Sequence, residues 1–591
     1  MRQSRFMPGE KKLWILLIML SLGFRLIGLG ERAMSHDESL HAYYSWNLSQ
    51  GLNYEHNPMT HGPLLFHLNG LVYALISDSD FASLLFPALW GTGCVALLIL
   101  FRKWLGTAGA LCSAAFISLD PGHLFYSRYL RNDIMVSFFT LLMLWAVLEY
   151  RDSRKSSSLL WLSLGLALQF VTKETCYIAG AVFGSGCVFF AALETPCQNF
   201  RKWIRDWVSN PLMHCAALML LLALPFAGTL LHPILGWDPL NNRSPEGQKQ
   251  IFIVAGWIFL CALLCGTLYF NRQKRLQGFL ESLGIFWIIQ ILLFTTLLTN
   301  PAHGMASGLA GSLGYWLKQH DVQRGNPDPF FYVTLLLLYS PVLIGGVLLS
   351  LRKITRWPLP LIGWLFLGNL LIYSWAGERM PWLLLHISLP LCILTGTMLP
   401  PLFAAPGRKG LKIIMAVGCF QMVCNSLRVN GPLSEGPWEP LMYAHSGEDI
   451  KLSLFMIEEH LEQNPGTRLL INDKENEANS YTWPLVWYFK SGGAEFTDIQ
   501  ADNIPEDVSV ILVPPRQESD YIAEGWVARL RVDMTTWPRP QYHRINLENI
   551  DGLVRLPAVR KKFLQYYFFR KQPEWGENEW PVPNRYLLMT R

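Results

Sequence analysis

The sequence predicts an α-helical polytopic membrane protein of about thirteen transmembrane helices. Surface helices occupy its first outer loop, and a small α/β domain forms its C-terminus. Three observations predict this. Hydrophobic residues make up 51% of the 591 residues and charged ones only 16%, well below the quarter typical of soluble chains. Apolar stretches near the bilayer-crossing length recur through positions 1–427. The charge also divides along the chain: residues 428–591 hold 18 basic and 24 acidic residues and no cysteine, whereas 1–427 hold 31 and 20 and all eleven cysteines. This composition excludes a soluble enzyme, a disordered chain and a nucleic-acid-binding protein, and a tail without cysteine carries no disulfide.

The first span reads as 13–29. No small-residue cleavage site follows it before the polar stretch Glu31–Glu38, so it is not an evident signal peptide. Further spans fall near 80–101, 107–125, 134–150, 158–172, 175–193, 211–231, 250–270, 279–299, 330–351, 357–376, 381–402 and 410–427. Basic clusters follow alternate spans, from Arg102/Lys103 and Arg151/Arg154/Lys155 to Arg408/Lys409/Lys412. Lys and Arg accumulate on the cytoplasmic side of membrane helices. With the N-terminus inside, inner segments hold 21 basic and 6 acidic residues, against 9 and 14 in the outer loops. Residues 64–76 are apolar enough to pass for a span, but counting them would turn every later basic cluster outward. Segments 38–50 and 62–76 therefore read as surface helices in one long outer loop. An odd number of spans then puts the C-terminal domain, 428–591, outside.

Within that domain, Asp449–Gln463 spaces Leu452, Leu454, Phe455, Ile457 and Leu461 as a helix does. Arg468–Ile471 and Val508–Val513 read as short buried strands, and Tyr521–Leu530 and Ala558–Phe569 as helices. The alternation predicts an α/β domain. Ser491-Gly-Gly reads as a plain turn rather than a nucleotide loop.

Charge near a bilayer is costly and tends to mark function. Here it gathers at the outer ends of several spans: His36-Asp37-Glu38, Tyr126-Ser-Arg-Tyr-Leu-Arg131-Asn-Asp133, Lys173-Glu174, Tyr315-Trp316-Leu-Lys318-Gln-His320, and Glu378-Arg379-Met-Pro-Trp382. Each has a plain structural reading. Asp37 suits a helix cap, Arg131 and Lys173 suit snorkelling cations, and Tyr315 and Trp316 suit an interfacial aromatic belt. His36, His41, His56, His61 and His67 crowd the first outer loop, but their spacing is not a standard zinc pattern. The joint pattern, charges of both signs able to converge on one pocket, is more telling than any part.

These residues resemble the GT-C superfamily of polytopic glycosyltransferases, in the group of protein O-mannosyltransferases and aminoarabinose transferases. The resemblance rests on Asp37-Glu38 after the first span, Asn57-Pro-Met-Thr-His-Gly-Pro-Leu-Leu-Phe66, Arg131-Asn-Asp133 and Thr172-Lys173-Glu174. Within the superfamily the chain is most similar to a branch named for association with flippase activity, through His36-Asp-Glu38, Tyr315–His320, Gly377–Trp382 with His386, and Trp483–Tyr488.

The resemblance implies a sugar donor on a polyprenyl phosphate and a glycan, lipid or protein acceptor. It implies transfer with inversion at the outer face of a plasma (inner) membrane. A phosphate leaving group asks for little beyond a base and cations. By resemblance Asp37 is the base. Glu38 and Asp133 position acceptor or sugar, with Asp133 the second candidate base. Arg131, Lys173 and Arg379 clamp the phosphate. Glu378 orients Arg379 or binds sugar, and Tyr315, Trp316, Trp382 and His36 line the substrate path. The superfamily includes members with and without a divalent cation, and the sequence leaves a metal open. Two other readings compete: a flippase or transporter without chemistry, and a binding partner in a surface-polysaccharide assembly. Against transport, Arg25 is the only clear charge near a span interior, and no internal repeat is evident.

Overall fold

The computed structural model describes residues 6–196, 199–319, 324–325, 328–353, 355–431, 439–443, 445–447, 449–472, 482–535, 561 and 584–591. The predicted helix 558–569 therefore lies outside the described residues, apart from position 561, and His320 lies outside them altogether.

The chain opens with α1 (Glu10–Leu26), then α2 (His36–Ser49) and α3 (Leu64–Leu75). The last two are the predicted surface helices. A bent rod, α4 (Asp80–Leu97) and α5 (Arg102–Leu119), follows. At 40 residues it would be about 60 Å long if straight, twice a bilayer's apolar thickness. It breaks instead at Gly106, whose φ of 73° is open to glycine and strained for other residues. The bend carries Arg102 to Glu10, at 2.7 Å, and Lys103 to Glu149. Asp80, at the start of α4, lies on the opposite face, where it accepts bonds from Trp487 and Tyr488 at 2.8 and 3.0 Å. The two halves are thus antiparallel, as the predicted spans 80–101 and 107–125 require.

Next come α6 (Pro121–Tyr126), α7 (Asp133–Ser153), α8 (Ser156–Phe170), α9 (Cys176–Glu194), α10 (Phe200–Val208), α11 (Pro211–Ala223), α12 (His232–Leu235), α13 (Pro245–Arg272) and α14 (Leu276–Phe294). After α15 (Pro301–Ala306) and α16 (Ser312–Gln319), α17 (Phe331–Tyr339) and α18 (Pro341–Ser350) meet at a bend of 104°. The predicted span 330–351 is thus broken, at Pro341. The body ends with α19 (Leu359–Trp375), α20 (Leu384–Ala404) and α21 (Lys409–Val429). Among the described residues eight helices are long and apolar enough to cross a membrane, or nine with the bent pair as one. Every predicted span has a helical counterpart. Arg25 is buried in α1, where it donates to Ser21 Oγ at 2.6 Å and packs against Ile117 O.

The C-terminal domain is built on a six-stranded mixed sheet, ordered β3-β7-β8-β6-β4-β5. Its strands are β3 (His445–Ser446), β4 (Arg468–Asn472), β5 (Ala494–Thr497), β6 (Val508–Val513), β7 (Val527–Thr535) and β8 (Asn584–Thr590). Two further short strands, β1 (Arg324–Gly325) and β2 (Glu378–Arg379), pair in parallel within the body. Helices α22 (Asp449–Gln463), α23 (Thr482–Tyr488) and α24 (Glu518–Ala523) flank the six-stranded sheet. The predicted helix 521–530 is corrected. Gly525 sits at a φ of 87°, ending the helix, and Val527 onward runs as a strand between β3 and β8. The domain docks over α2: Tyr488 Oη accepts from Met34 N at 2.9 Å, Ser446 Oγ donates to Met34 O at 2.6 Å, and Trp483 packs edge-on to Tyr43.

Candidate active site

Asp37 and Glu38 share the first turn of α2, yet adjacent helical residues point apart. Glu38 is fully buried. Its Oε2 accepts from Ser35 N at 3.0 Å, one half of a capping box completed by Glu38 N and Ser35 Oγ. Its Oε1 accepts from Arg32 Nη2 at 2.7 Å and from Leu130 N at 3.1 Å. The carboxylate expected to position substrate is therefore engaged in fixing α2 to the loop before α7.

Asp37 faces the other way and keeps 22% of its side chain exposed. It pairs with Arg131 Nη1 and, at 3.3 Å, with His36 Nδ1. Burial works to raise its pKa, but the guanidinium overrides this and holds the carboxyl well below the usual range. His41 Nδ1 donates to the Asp37 carbonyl at 2.6 Å, and burial with the nearby Arg131 pushes its pKa down to about 4.

Arg131 is the hub. Its guanidinium lies 3.4 Å from the centroid of Trp382, a cation–π contact. Its Nε is 3.7 Å from Asp133 Oδ2, and its Nη2 is 3.5 Å from His61 Nε2. Asp133, fully buried at the head of α7, accepts from Lys173 Nζ with both oxygens, at 2.7 and 2.8 Å. His386 Nε2 approaches it at 3.3 Å from α20. Four sequence candidates, Asp37, Arg131, Asp133 and Lys173, thus form one alternating-charge chain over Trp382.

Beside this charged chain sits a neutral pair. His61 Nδ1 is 2.7 Å from Glu174 Oε2, and the imidazole stacks on Trp316 at 5.2 Å with an interplanar angle of 11°. Burial drives the His61 pKa well down and pushes Glu174 up to about 8. The loop carrying His61 is laced to the Lys173 turn through Gly62 N to Thr172 O at 3.1 Å and Leu64 N to Val171 O at 2.8 Å. A Cβ on residue 62 would lie 2.4 Å from Val171 C, so only glycine allows this approach.

A cleft of about 720 Å³ opens here, lined by His61, Lys173, Glu174, Trp316, Tyr373, Glu378 and Trp382 among others. Glu378 reaches its wall on β2. Arg379, the next residue of β2, donates from Nε to Ser374 O at 2.8 Å. Tyr315 packs edge-on against Trp316 at 5.3 Å, and His36 lies 6.4 Å from Trp483 in the docked domain.

Of the five clustered histidines, His36, His41 and His61 gather around Asp37 and Arg131, and the other two are engaged elsewhere. His56 Nδ1 contacts Ser307 Oγ at 2.9 Å and His67 Nδ1 donates to Pro63 O at 2.8 Å. Asp37 and Asp133, the carboxylates a divalent cation would need, are each paired with a cation of the protein, so this arrangement does not fit a shared metal. Among the described residues the group with metal-ligand composition is Asp120, His123 and Cys392, all buried. Asp120 there caps α6, accepting from His123 N at 3.1 Å.

Of the other lining residues, sequence reasoning quotes Glu174 within Thr172-Lys173-Glu174 but gives it no role, does not single out Tyr373, and marks His61 as one histidine among five. The available signal for Glu174 was its adjacency to Lys173.

Comparison with known proteins bears on the same region. Residues 60–228 match the family model described as dolichyl-phosphate-mannose-protein mannosyltransferase. No curated protein sequence matches the chain. Among solved structures, the apo oligosaccharyltransferase of Archaeoglobus fulgidus aligns at 11% identity with a TM-score of 0.51, over 98% of this chain and 88% of that one. That likeness is one of fold. ArnT from Cupriavidus metallidurans, bound to undecaprenyl phosphate, aligns at 11% identity and a TM-score of 0.47, over 88% of this chain and 96% of that one.

Proposed function

We propose that this chain, a polytopic membrane protein of GT-C type, transfers a sugar from a polyprenyl-phosphate carrier to an acceptor hydroxyl. The reaction would take place at the outer face of a plasma membrane, where the C-terminal domain sits, with the N-terminus inside. The observation that carries this reading is the chain Asp37–Arg131–Asp133–Lys173 packed against Trp382, which with Lys173 lines the aromatic-walled cleft. It holds a carboxylate with solvent access and two buried cations within one contact network, the minimum set for displacing a phosphate. The match of the mannosyltransferase family model over 60–228, which spans Arg131, Asp133 and Lys173, supports the same class.

In the proposed step Asp37 takes the proton of the acceptor hydroxyl, whose oxygen attacks the anomeric carbon. The bond from that carbon to the phosphate oxygen breaks, and the electron pair leaves with the phosphate. Arg131 and Lys173 receive the developing charge. A carboxylate held at low pKa is a weak base at rest. When the phosphate draws on Arg131, the guanidinium's hold on Asp37 weakens and the carboxylate becomes more basic as the leaving group departs. Single displacement inverts the anomeric centre. Asp133 keeps Lys173 charged and aimed.

The test compares surface glycans, by mass spectrometry, from cells with and without the gene, and from cells complemented with Asp37→Asn. The expected result is a sugar unit missing without the gene and still missing with Asp37→Asn, although the variant inserts normally. Full restoration by Asp37→Asn would overturn the assignment of the base. Arg25, packed against Ile117 rather than lining a path, gives the transport reading no support.

A further inference from the structure

Besides its docking over α2, the C-terminal domain meets the membrane body at the N-terminal end of α22. Lys451, in the first turn of that helix, donates to Gly30 O at 2.7 Å and pairs with Asp80 at 2.9 Å. These partners sit at the ends of α1 and α4, where the body's lipid-facing side begins. Gly30 packs directly on the Phe81 backbone, since a Cβ there would lie 2.7 Å from Phe81 N. Around the seam Ile27 is 74% exposed and Phe81 45%. Such side chains belong in lipid in a membrane protein.

Phe455 follows Lys451 by four residues and so occupies the same stripe of α22, one turn on. It is 63% exposed, and Leu452 beside it is 48% exposed. Single exposed apolar residues are ordinary on a soluble domain. These two are set apart by position, because they continue the apolar edge of Ile27 and Phe81 across the Lys451 clamp. Their face then changes character. Glu458, Glu459 and Glu462 occupy it in the next turns, where an acidic run suits water and not a headgroup layer.

We propose that the first two turns of α22 rest in the headgroup layer of the leaflet on the domain side, with Phe455 and Leu452 inserted and Lys451 at the level of the lipid phosphates. The glutamates lift the remainder of the helix clear. The occupant of this face is lipid, argued from its continuity with the body's own lipid-facing edge. The contact would hold the domain over α2 independently of its protein contacts.

The full chain carrying a benzophenone analogue of phenylalanine at 455 is reconstituted in vesicles of phosphatidylethanolamine and phosphatidylglycerol and irradiated. Matching samples carry the probe at 452 or at 462, the last about 15 Å along the helix from 452. Lipid adducts at 452 and 455 with none at 462 are expected. Phe455→Asp with the probe at 452 should abolish the lipid adduct there. Adducts to a second protein copy at 455, or no adduct at 455 in correctly inserted protein, would overturn the proposal.

Discussion

Replacing Lys173 by methionine keeps the length and apolar stem of the side chain and removes its charge. Asp133 is fully buried and takes its two shortest contacts, 2.7 and 2.8 Å, from Lys173. The variant leaves a carboxylate with His386 at 3.3 Å and the Arg131 Nε at 3.7 Å. Removing one partner of a buried ion pair costs about 3–5 kcal/mol. The two remaining partners place the expected loss near the lower end, about 3 kcal/mol. Reversible unfolding in mixed micelles, titrated with a denaturing detergent, reads it. Asp133→Asn added to Lys173→Met removes the stranded charge and should return stability to within about 1 kcal/mol of the parent. The repaired protein should still fail to transfer sugar, because the cation for the phosphate is gone. Lys173→Met unfolding at the parent's midpoint would refute the reasoning, as would a double variant no more stable than the single one.

Glu174→Gln tests the neutral pair. Burial raises the Glu174 pKa from 4.5 to about 8, so the folded state holds a proton that the unfolded state has released between those values. That stability is present below pH 4.5 and is lost as pH rises to about 8. The parent's stability should fall across this window, and the glutamine variant should show a shallower slope. Glu38→Ala removes the capping box and the Arg32 bond and should cost about 2–3 kcal/mol, while the folded fraction keeps transfer activity. Complete loss of activity at normal stability would return Glu38 to the chemistry. Trp382→Ala should weaken donor use by about 1–2 kcal/mol through loss of the Arg131 platform, seen as a raised KM that Trp382→Tyr partly restores.

The body was legible because its signals are strong and local. Apolar length located the helices, and α2 and α3 form as separate helices of 14 and 12 residues, as expected for that outer loop. In the site, Asp37, Arg131, Asp133 and Lys173 were legible because charge beside a bilayer is conspicuous. Sequence adjacency hides divergence: in one helical turn Glu38 points into the scaffold, toward Ser35, Arg32 and Leu130, while Asp37 points to Arg131. The direction of Arg379 was not legible, because it depends on a bond to Ser374 O in the last turn of α19. Glu174 and Tyr373 gave little signal, since their importance comes from neighbours far away in the chain. The strand at Val527 was read as helix because its apolar spacing suits both, and the deciding feature was the backbone at Gly525.

The pairing of Asp133 with Lys173 spans 40 residues and closes across a single helical hairpin, α7 and α8. Two other contacts of the network reach much further, from Arg131 to Asp37 across 94 positions and from Asp133 to His386 across 253. During synthesis the hairpin can therefore enter the bilayer as a neutral unit, its two opposite charges already cancelled, long before α20 emerges. Biogenesis places a demand on this pair separate from catalysis. A variant that splits it is exposed to quality control at the moment of insertion, before any substrate is met.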